Sequence, residues 1–92
     1  PEVERVDSQT WRIQGAAPLD EVARELGVEL PLEEYDTFGG LVFGALGAIP
    51  MDGAQPEVDV CGLHVKVQLI RDHRIQRALV CRLEPQNGEE TE

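Results

Sequence analysis

Residues 35–50 read Tyr-Asp-Thr-Phe-Gly-Gly-Leu-Val-Phe-Gly-Ala-Leu-Gly-Ala-Ile-Pro, an apolar segment interrupted by four glycines. Its larger apolar side chains recur at helical spacing, at Phe38, Leu41, Val42, Ala45, Leu46 and Ile49. Thr37 is a good N-cap residue, and Pro50 cannot continue a helix. Each glycine costs about 1 kcal/mol of helix propensity relative to alanine. We therefore expect a helix that begins after Thr37, ends at Pro50 and lies close against another backbone, where missing side chains permit near approach.

A second, amphipathic helix is predicted on the N-terminal side of this segment. Pro18 suits its first turn, because a proline there loses no hydrogen bond, and Gly27 is a typical stop. The apolar stripe of this helix consists of Leu19, Val22, Ala23 and Leu26. Residues 10–14 alternate apolar and polar side chains, which predicts a short strand. Residues 1–8 are polar and charged, and we expect a linker or an expression remnant there.

The last third of the chain alternates apolar and polar residues in the manner of strands. Three strands are predicted, at residues 58–61, 63–70 and 75–83. The last of them holds three consecutive apolar residues, which predicts a bulge near Arg77 or burial on both faces. The predicted class is α+β in the order β-α-α-β-β-β. Two helices would pack on one face of a small, mainly antiparallel sheet and bury both apolar stripes at once.

The composition limits the classes of function. The 92 residues carry 18 acidic and 8 basic side chains, a formal net charge of −10, which opposes binding to nucleic acid. We expect one folded domain at residues 9–84 and a disordered tail at residues 85–92. A core of this size leaves little room for a catalytic pocket, and no catalytic constellation is visible, so an enzyme is not expected. No run of residues is long and apolar enough to span a bilayer.

Six carboxylates could supply oxygen ligands to Mg²⁺ or Ca²⁺, namely Glu33, Glu34, Asp36, Asp52, Glu57 and Asp59. The alternative is that these acidic loops are only solvated, because the spacing of a calcium-binding loop is absent. A zinc site that includes Cys61 and His64 is disfavoured, since structural zinc normally requires four converging ligands. The glycines of residues 39–47 match a phosphate-binding loop only in number, because the lysine that ends such a loop is missing.

The run from Tyr35 to Val42, followed by Leu46-Gly47-Ala48-Ile49-Pro50 and Gly53, resembles the CorC/HlyC transporter-associated domain. In that family an aspartate-threonine pair, a paired glycine, an apolar helix and an Ile-Pro ending precede three strands. The matching structural motif here consists of Asp36, Thr37, Gly39, Gly40, Ile49, Pro50 and Gly53. The strand at Trp11 and the turn at Arg74 fit the same pattern, and the resemblance covers residues 8–84.

The resemblance implies the C-terminal domain of a CorC/CNNM-type membrane protein, placed on the cytoplasmic side of the inner (plasma) membrane. A membrane-embedded region and a CBS-domain pair of the same polypeptide would precede it. Such proteins are associated with magnesium and cobalt efflux or resistance, and some carry a haemolysin label. The implied fold also resembles part of the FAD-binding fold of vanillyl-alcohol-oxidase-type enzymes. That is fold analogy alone, no residue here supports it, and FAD is not expected.

These observations support three hypotheses of function. The first is a non-catalytic regulatory module that modulates ion transport through contact with partner domains or with a second copy of itself, which predicts a homodimer. The second is a divalent-cation sensor that uses the acidic loops. The third is a flavin- or nucleotide-binding module at the glycine-rich helix. Because the chain begins with Pro1, we expect it to be a soluble piece of a longer polypeptide.

Overall fold

Five strands form a single sheet in which every neighbouring pair is antiparallel. The computed structural model describes residues 1–83, so the tail predicted at residues 85–92 lies outside the described residues. The strands are β1 (Val3–Asp7), β2 (Thr10–Ile13), β3 (Glu57–Val60), β4 (Leu63–Arg71) and β5 (Arg74–Arg82). Their order across the sheet is β1-β2-β5-β4-β3. Two helices, α1 (Leu19–Leu26) and α2 (Phe38–Leu46), connect β2 to β3, and the predicted α+β class is confirmed.

One face of the sheet carries the core. Buried and exposed side chains alternate along the strands, as expected when helices cover one side of an antiparallel sheet. The strands contribute Trp11, Ile13, Leu63, Val65, Val67, Ala78 and Val80 to the buried cluster. The helices contribute Leu19, Val22, Leu26, Phe38, Leu41 and Val42. Both helices therefore pack on the same side, and no element of residues 1–83 covers the opposite face.

A short backbone ladder joins the β2–α1 connection to the start of α2. The N–H of Leu19 donates to the carbonyl oxygen of Asp36 at 2.9 Å. The N–H of Phe38 donates to that of Ala17 at 3.0 Å, and the N–H of Gly39 donates to that of Gly15 at 2.9 Å. A Cβ atom on Gly15 would lie 2.1 Å from the carbonyl oxygen of Ile75, and one on Gly39 would lie 3.1 Å from that of Gly15. These two glycines therefore allow the close backbone approach that the sequence predicts.

The prediction of a linker at residues 1–8 is wrong, because β1 occupies most of that stretch. Arg5 of β1 pairs with Trp11 of β2, and its guanidinium carbon lies 5.8 Å from the centroid of the indole ring. A cation at that distance is attracted to the ring face. The apolar residues of β1, Val3 and Val6, are three positions apart, which is not the alternation of a half-buried strand. The observed order is therefore β-β-α-α-β-β-β.

Helix α2 begins as predicted and ends early. The Thr37 hydroxyl accepts a hydrogen bond from the N–H of Gly40 at 3.2 Å, which caps the first turn. The last helical residue is Leu46, because Gly47 adopts a left-handed conformation with φ 79° that ends the helix. Ile49 therefore does not continue the apolar stripe, and it is 59% exposed.

The bulge predicted near Arg77 is confirmed. Leu69 of β4 pairs with Arg77, but the next residue, Ile70, pairs with Ile75, so β5 contains an extra residue at this point. Gln76 and Arg77 are consequently both exposed. The shift returns the following residues of β5 to the alternation that the core requires.

Candidate functional site

An open cleft of about 460 Å³ lies beside the turn between β4 and β5. The β2–α1 connection, the first turns of α2 and the start of β5 form its walls. The side chains that line it include Gln14, Thr37, Phe43, Arg74 and Gln76, with bare backbone at three glycines. Among residues 1–83, Arg74 is the only ionisable group in this lining. The cleft can therefore hold a ligand, but its lining offers no acid–base pair for proton transfer.

The N-terminus of α2 is closed to phosphate. The N–H groups of its first four residues, Phe38, Gly39, Gly40 and Leu41, all donate hydrogen bonds within the protein. A helix N-terminus binds phosphate through N–H groups that have no such partner. The glycine-rich helix therefore gives no support to the hypothesis of nucleotide binding.

Asp52, one of the candidate metal ligands, instead anchors the β4–β5 turn. The turn residues Asp72 and His73 have φ 57° and 60°, a left-handed conformation that residues other than glycine adopt at a cost. The Asp52 carboxylate accepts the N–H groups of both residues at 2.9 Å. These hydrogen bonds, that of His73 first, hold the pKa of Asp52 below its ordinary value. Its oxygens are thus already engaged within the protein.

Glu57 and Asp59 bind the two nitrogens of one imidazole. Nδ1 of His64 lies 2.5 Å from Oδ1 of Asp59, and Nε2 lies 3.0 Å from Oε1 of Glu57. Both ring nitrogens are donors only when histidine is protonated, so this arrangement favours the imidazolium form. The hydrogen bond with Asp59, followed by that with Glu57, raises the pKa of His64 above its ordinary value. The cluster links the edge strand β3 to β4.

The remaining candidate ligands, Glu33, Glu34 and Asp36, lie in the connection between α1 and α2. Glu33 and Glu34 border a shallow cavity of about 320 Å³ whose other walls are Leu30, Pro31 and Leu32. Nowhere in the described part of the chain do three acidic, histidine or cysteine side chains converge to hold a metal ion. The six predicted ligands are therefore spread over three places.

The free energy of unfolding is expected to fall as the pH rises above about 6.5, because of the His64 cluster. The folded protein binds this proton more tightly than the unfolded chain does. The stabilisation is therefore complete below the ordinary histidine pKa and is lost as the pH passes through the raised pKa of His64. Urea unfolding between pH 6 and pH 9 measures the effect.

Replacing His64→Gln should remove this part of the pH dependence. His73→Gln is the matched control, because His73 is 75% exposed and its Nδ1 lies 3.6 Å from Asp52. Equal pH profiles for the wild-type protein and the His64 variant would contradict the assignment.

The sheet face opposite the helices, here called the outer face, carries two cross-strand rows of side chains. One row consists of Asp59, His64, Cys81 and Thr10. The other consists of Glu57, Lys66, Leu79, Arg12 and Glu4. Leu79 and Cys81 are half-buried at its centre, with charged residues of both signs around them.

The sequence matches the family model of the CorC_HlyC transporter associated domain over residues 4–84. The chain belongs to this family. A solved CorC_HlyC domain of a hemolysin from Xylella fastidiosa Temecula1, in complex with Mg++ and Mn++, superposes with a TM-score of 0.72 at 27% identity. The match covers 91% of this chain and 100% of that one, so the two share the complete fold.

Two curated relatives are much longer than this CorC_HlyC domain. The magnesium and cobalt efflux protein CorC of Escherichia coli K12 is 31% identical over 71 residues, which is 77% of this chain and 24% of the relative. The polyamine export protein of Salmonella typhimurium 14028s is 34% identical over 80 residues, 85% of this chain and 17% of the relative. The chain thus spans less than a quarter of either. No helix within residues 1–83 has the length and apolar character needed to cross a bilayer.

Three of the CorC_HlyC motif residues, Asp36, Gly39 and Gly53, make backbone hydrogen bonds to distant segments of the chain. Thr37 and Gly39 take part in the α2 cap and the ladder, and the carbonyl oxygen of Asp36 accepts the N–H of Leu19. Gly53, with φ 88°, donates its N–H to the carbonyl oxygen of Ile70 at 3.2 Å.

Two residues of these sites, His64 and Arg74, do not stand out in the sequence. The sequence suggests His64 only as a zinc ligand, although a two-residue turn at Cys61 and Gly62 places it directly opposite Asp59. A two-residue hairpin turn that contains Gly62 predicts this register from the sequence. The sequence predicts only a turn at Arg74, and nothing in the local sequence indicates that this residue borders a cleft.

Proposed function

We propose that this domain is a non-catalytic regulatory module of a membrane protein that exports cations, on the cytoplasmic side of the inner membrane. The observation that carries the proposal is the family match over residues 4–84 in a chain that spans only 24% of CorC. Magnesium and cobalt are the cargo that this relative's name suggests. The module acts by contact with other parts of the same polypeptide, a membrane-embedded region and a CBS-domain pair.

The outer face is the surface proposed for this contact. Its centre at Leu79 and Cys81 is apolar, and its borders carry acids on β3 and on β1, with Lys66 and Arg12 between them. An apolar centre with a charged border is the usual anatomy of a protein interface. Charges of both signs favour a partner surface with complementary charges, since like charges placed opposite each other would repel.

Crosslinking within the full-length membrane protein tests this contact. Leu79→Thr keeps a strand-forming residue while removing apolar surface, and it should reduce crosslinks from the outer face by about fivefold or more. Leu32→Thr is the control, because Leu32 is 47% exposed and lies in the α1–α2 connection. Crosslinks that survive Leu79→Thr unchanged would argue against the outer face. Light scattering on the 92-residue chain tests the alternative contact with a second copy, a homodimer.

A second candidate function is binding of a divalent cation, and the Mg++ and Mn++ complex of the Xylella fastidiosa relative favours it. The acids at Glu33, Glu34 and Asp36 have no protein partner among the side-chain hydrogen bonds of residues 1–83, unlike Asp52, Glu57 and Asp59. Calorimetric titration with Mg²⁺, Ca²⁺ and Mn²⁺ tests this binding. The control is a triple variant that carries Glu33→Gln, Glu34→Gln and Asp36→Asn. Equal heats for the two proteins would exclude these carboxylates.

A further inference from the structure

The cleft beside the β4–β5 turn has an unusual charge for this chain. The whole chain carries a formal net charge of −10, yet no acidic side chain lines the cleft and Arg74 does. The ion pairs within residues 1–83 use Arg12, His64 and His73, so the Arg74 guanidinium has no carboxylate partner there. The cleft therefore offers a local attraction for an anion on a chain whose net charge is negative.

Gly40 supplies a second, independent observation. A Cβ atom at this position would lie 3.4 Å from the Thr37 hydroxyl oxygen and 3.7 Å from the Tyr35 ring, which are ordinary contacts. The fold therefore does not require glycine here, although glycine costs about 1 kcal/mol of helix propensity. Gly40 and Phe43 are three residues apart on α2 and line the same cleft. Packing therefore does not explain why glycine occupies this position in the cleft wall.

We propose that this cleft binds a small aromatic carboxylate. The carboxylate would pair with Arg74, whose planar guanidinium suits two parallel hydrogen bonds. The ring would pack against Phe43, which lines the same cleft. The side-chain amides of Gln14 and Gln76 can form hydrogen bonds with polar groups of the ligand. The volume of about 460 Å³ lies in the range of small-molecule sites, about 300 to 1,000 Å³.

Titration of the ¹⁵N-labelled 92-residue chain with benzoate, followed by amide NMR shifts, tests this site. Saturable shifts are expected at Gly15, Gly40, Phe43 and Arg74, with a Kd of about 1 mM for so small a probe. Benzamide, which lacks the charge, and cyclohexanecarboxylate, which lacks the flat ring, should each bind several-fold more weakly. N-acetylphenylalanine separates the two sources of the ligand, because tighter binding of this probe would indicate a peptide terminus rather than a free molecule.

Three variants make the test specific. Arg74→Gln should weaken benzoate binding about tenfold, whereas Arg71→Gln, at the cross-strand partner of Arg74 that does not line the cleft, should leave it unchanged. Phe43→Leu should weaken benzoate binding about fivefold, because it removes the ring against which the ligand packs and keeps an apolar side chain. The proposal is overturned if shifts fail to saturate, if they lie elsewhere, if inorganic phosphate binds as well as benzoate, or if both arginine variants behave alike. None of these outcomes depends on the regulatory role.

Discussion

Gly15→Ala is expected to lower the free energy of unfolding by about 3 kcal/mol. The added Cβ would lie 2.1 Å from the carbonyl oxygen of Ile75, a backbone atom of the central strand β5 that no side-chain rotation can move. Relief requires the β2–α1 connection to shift, and its hydrogen bond to Gly39 would carry that shift into α2. Thermal unfolding followed by circular dichroism should show a melting temperature lower by about 15 °C.

Gly40→Ala is the matched control, because it adds the same methyl group within the same motif. Its Cβ would make only ordinary contacts, so the gain in helix propensity should raise the free energy of unfolding by about 0.5 to 1 kcal/mol. If both variants destabilised the domain equally, the close approach to β5 would not explain why glycine occupies position 15. Opposite signs would separate a glycine that packing requires from one that packing does not require.

The helices and the central hairpin could be predicted from the sequence because their signals are local. The Thr37 cap, the Gly27 stop and the alternation of β4 depend on neighbours within one or two turns of chain. The predicted end of α2 at Pro50 is wrong because that prediction follows the apolar spacing alone. Ile49 continues the apolar spacing, and the left-handed conformation of Gly47 that ends the helix leaves no trace in that pattern.

The strand β1 and the candidate site could not be predicted in the same way, because they depend on tertiary pairing. β1 is an edge strand whose place is fixed by its antiparallel register with β2, including Arg5 opposite Trp11. Residue types indicate the acids only as possible metal ligands, and only the register of β3 and β4 places Glu57 and Asp59 against His64. The cleft at Arg74 brings together three segments that are distant in sequence, so no local pattern could indicate it.

Arg82→Ala is expected to lower the free energy of unfolding by about 2 to 3 kcal/mol, because one side chain joins three elements. Its Nη1 donates to the carbonyl oxygen of Leu26 at 2.8 Å, at the C-terminal end of α1 where helical carbonyls lack partners. Its Nε donates to Oε1 of Gln9 at 3.1 Å, and its guanidinium carbon lies 5.7 Å from the centroid of the Trp11 ring. Urea unfolding monitored by Trp11 fluorescence measures the loss.

Arg82→Lys should recover only part of this stability, since an ammonium group lacks the planar fork that reaches Leu26 and Gln9 together. Arg77→Ala is the matched control on β5, where an exposed arginine makes one hydrogen bond of 3.2 Å to Gln68, and it should cost less than about 1 kcal/mol. Equal losses for the two alanine variants would mean that Arg82 does not connect α1 to the sheet. A loss confined to Arg82 would instead identify the residue that holds α1 against the Trp11 side of the core.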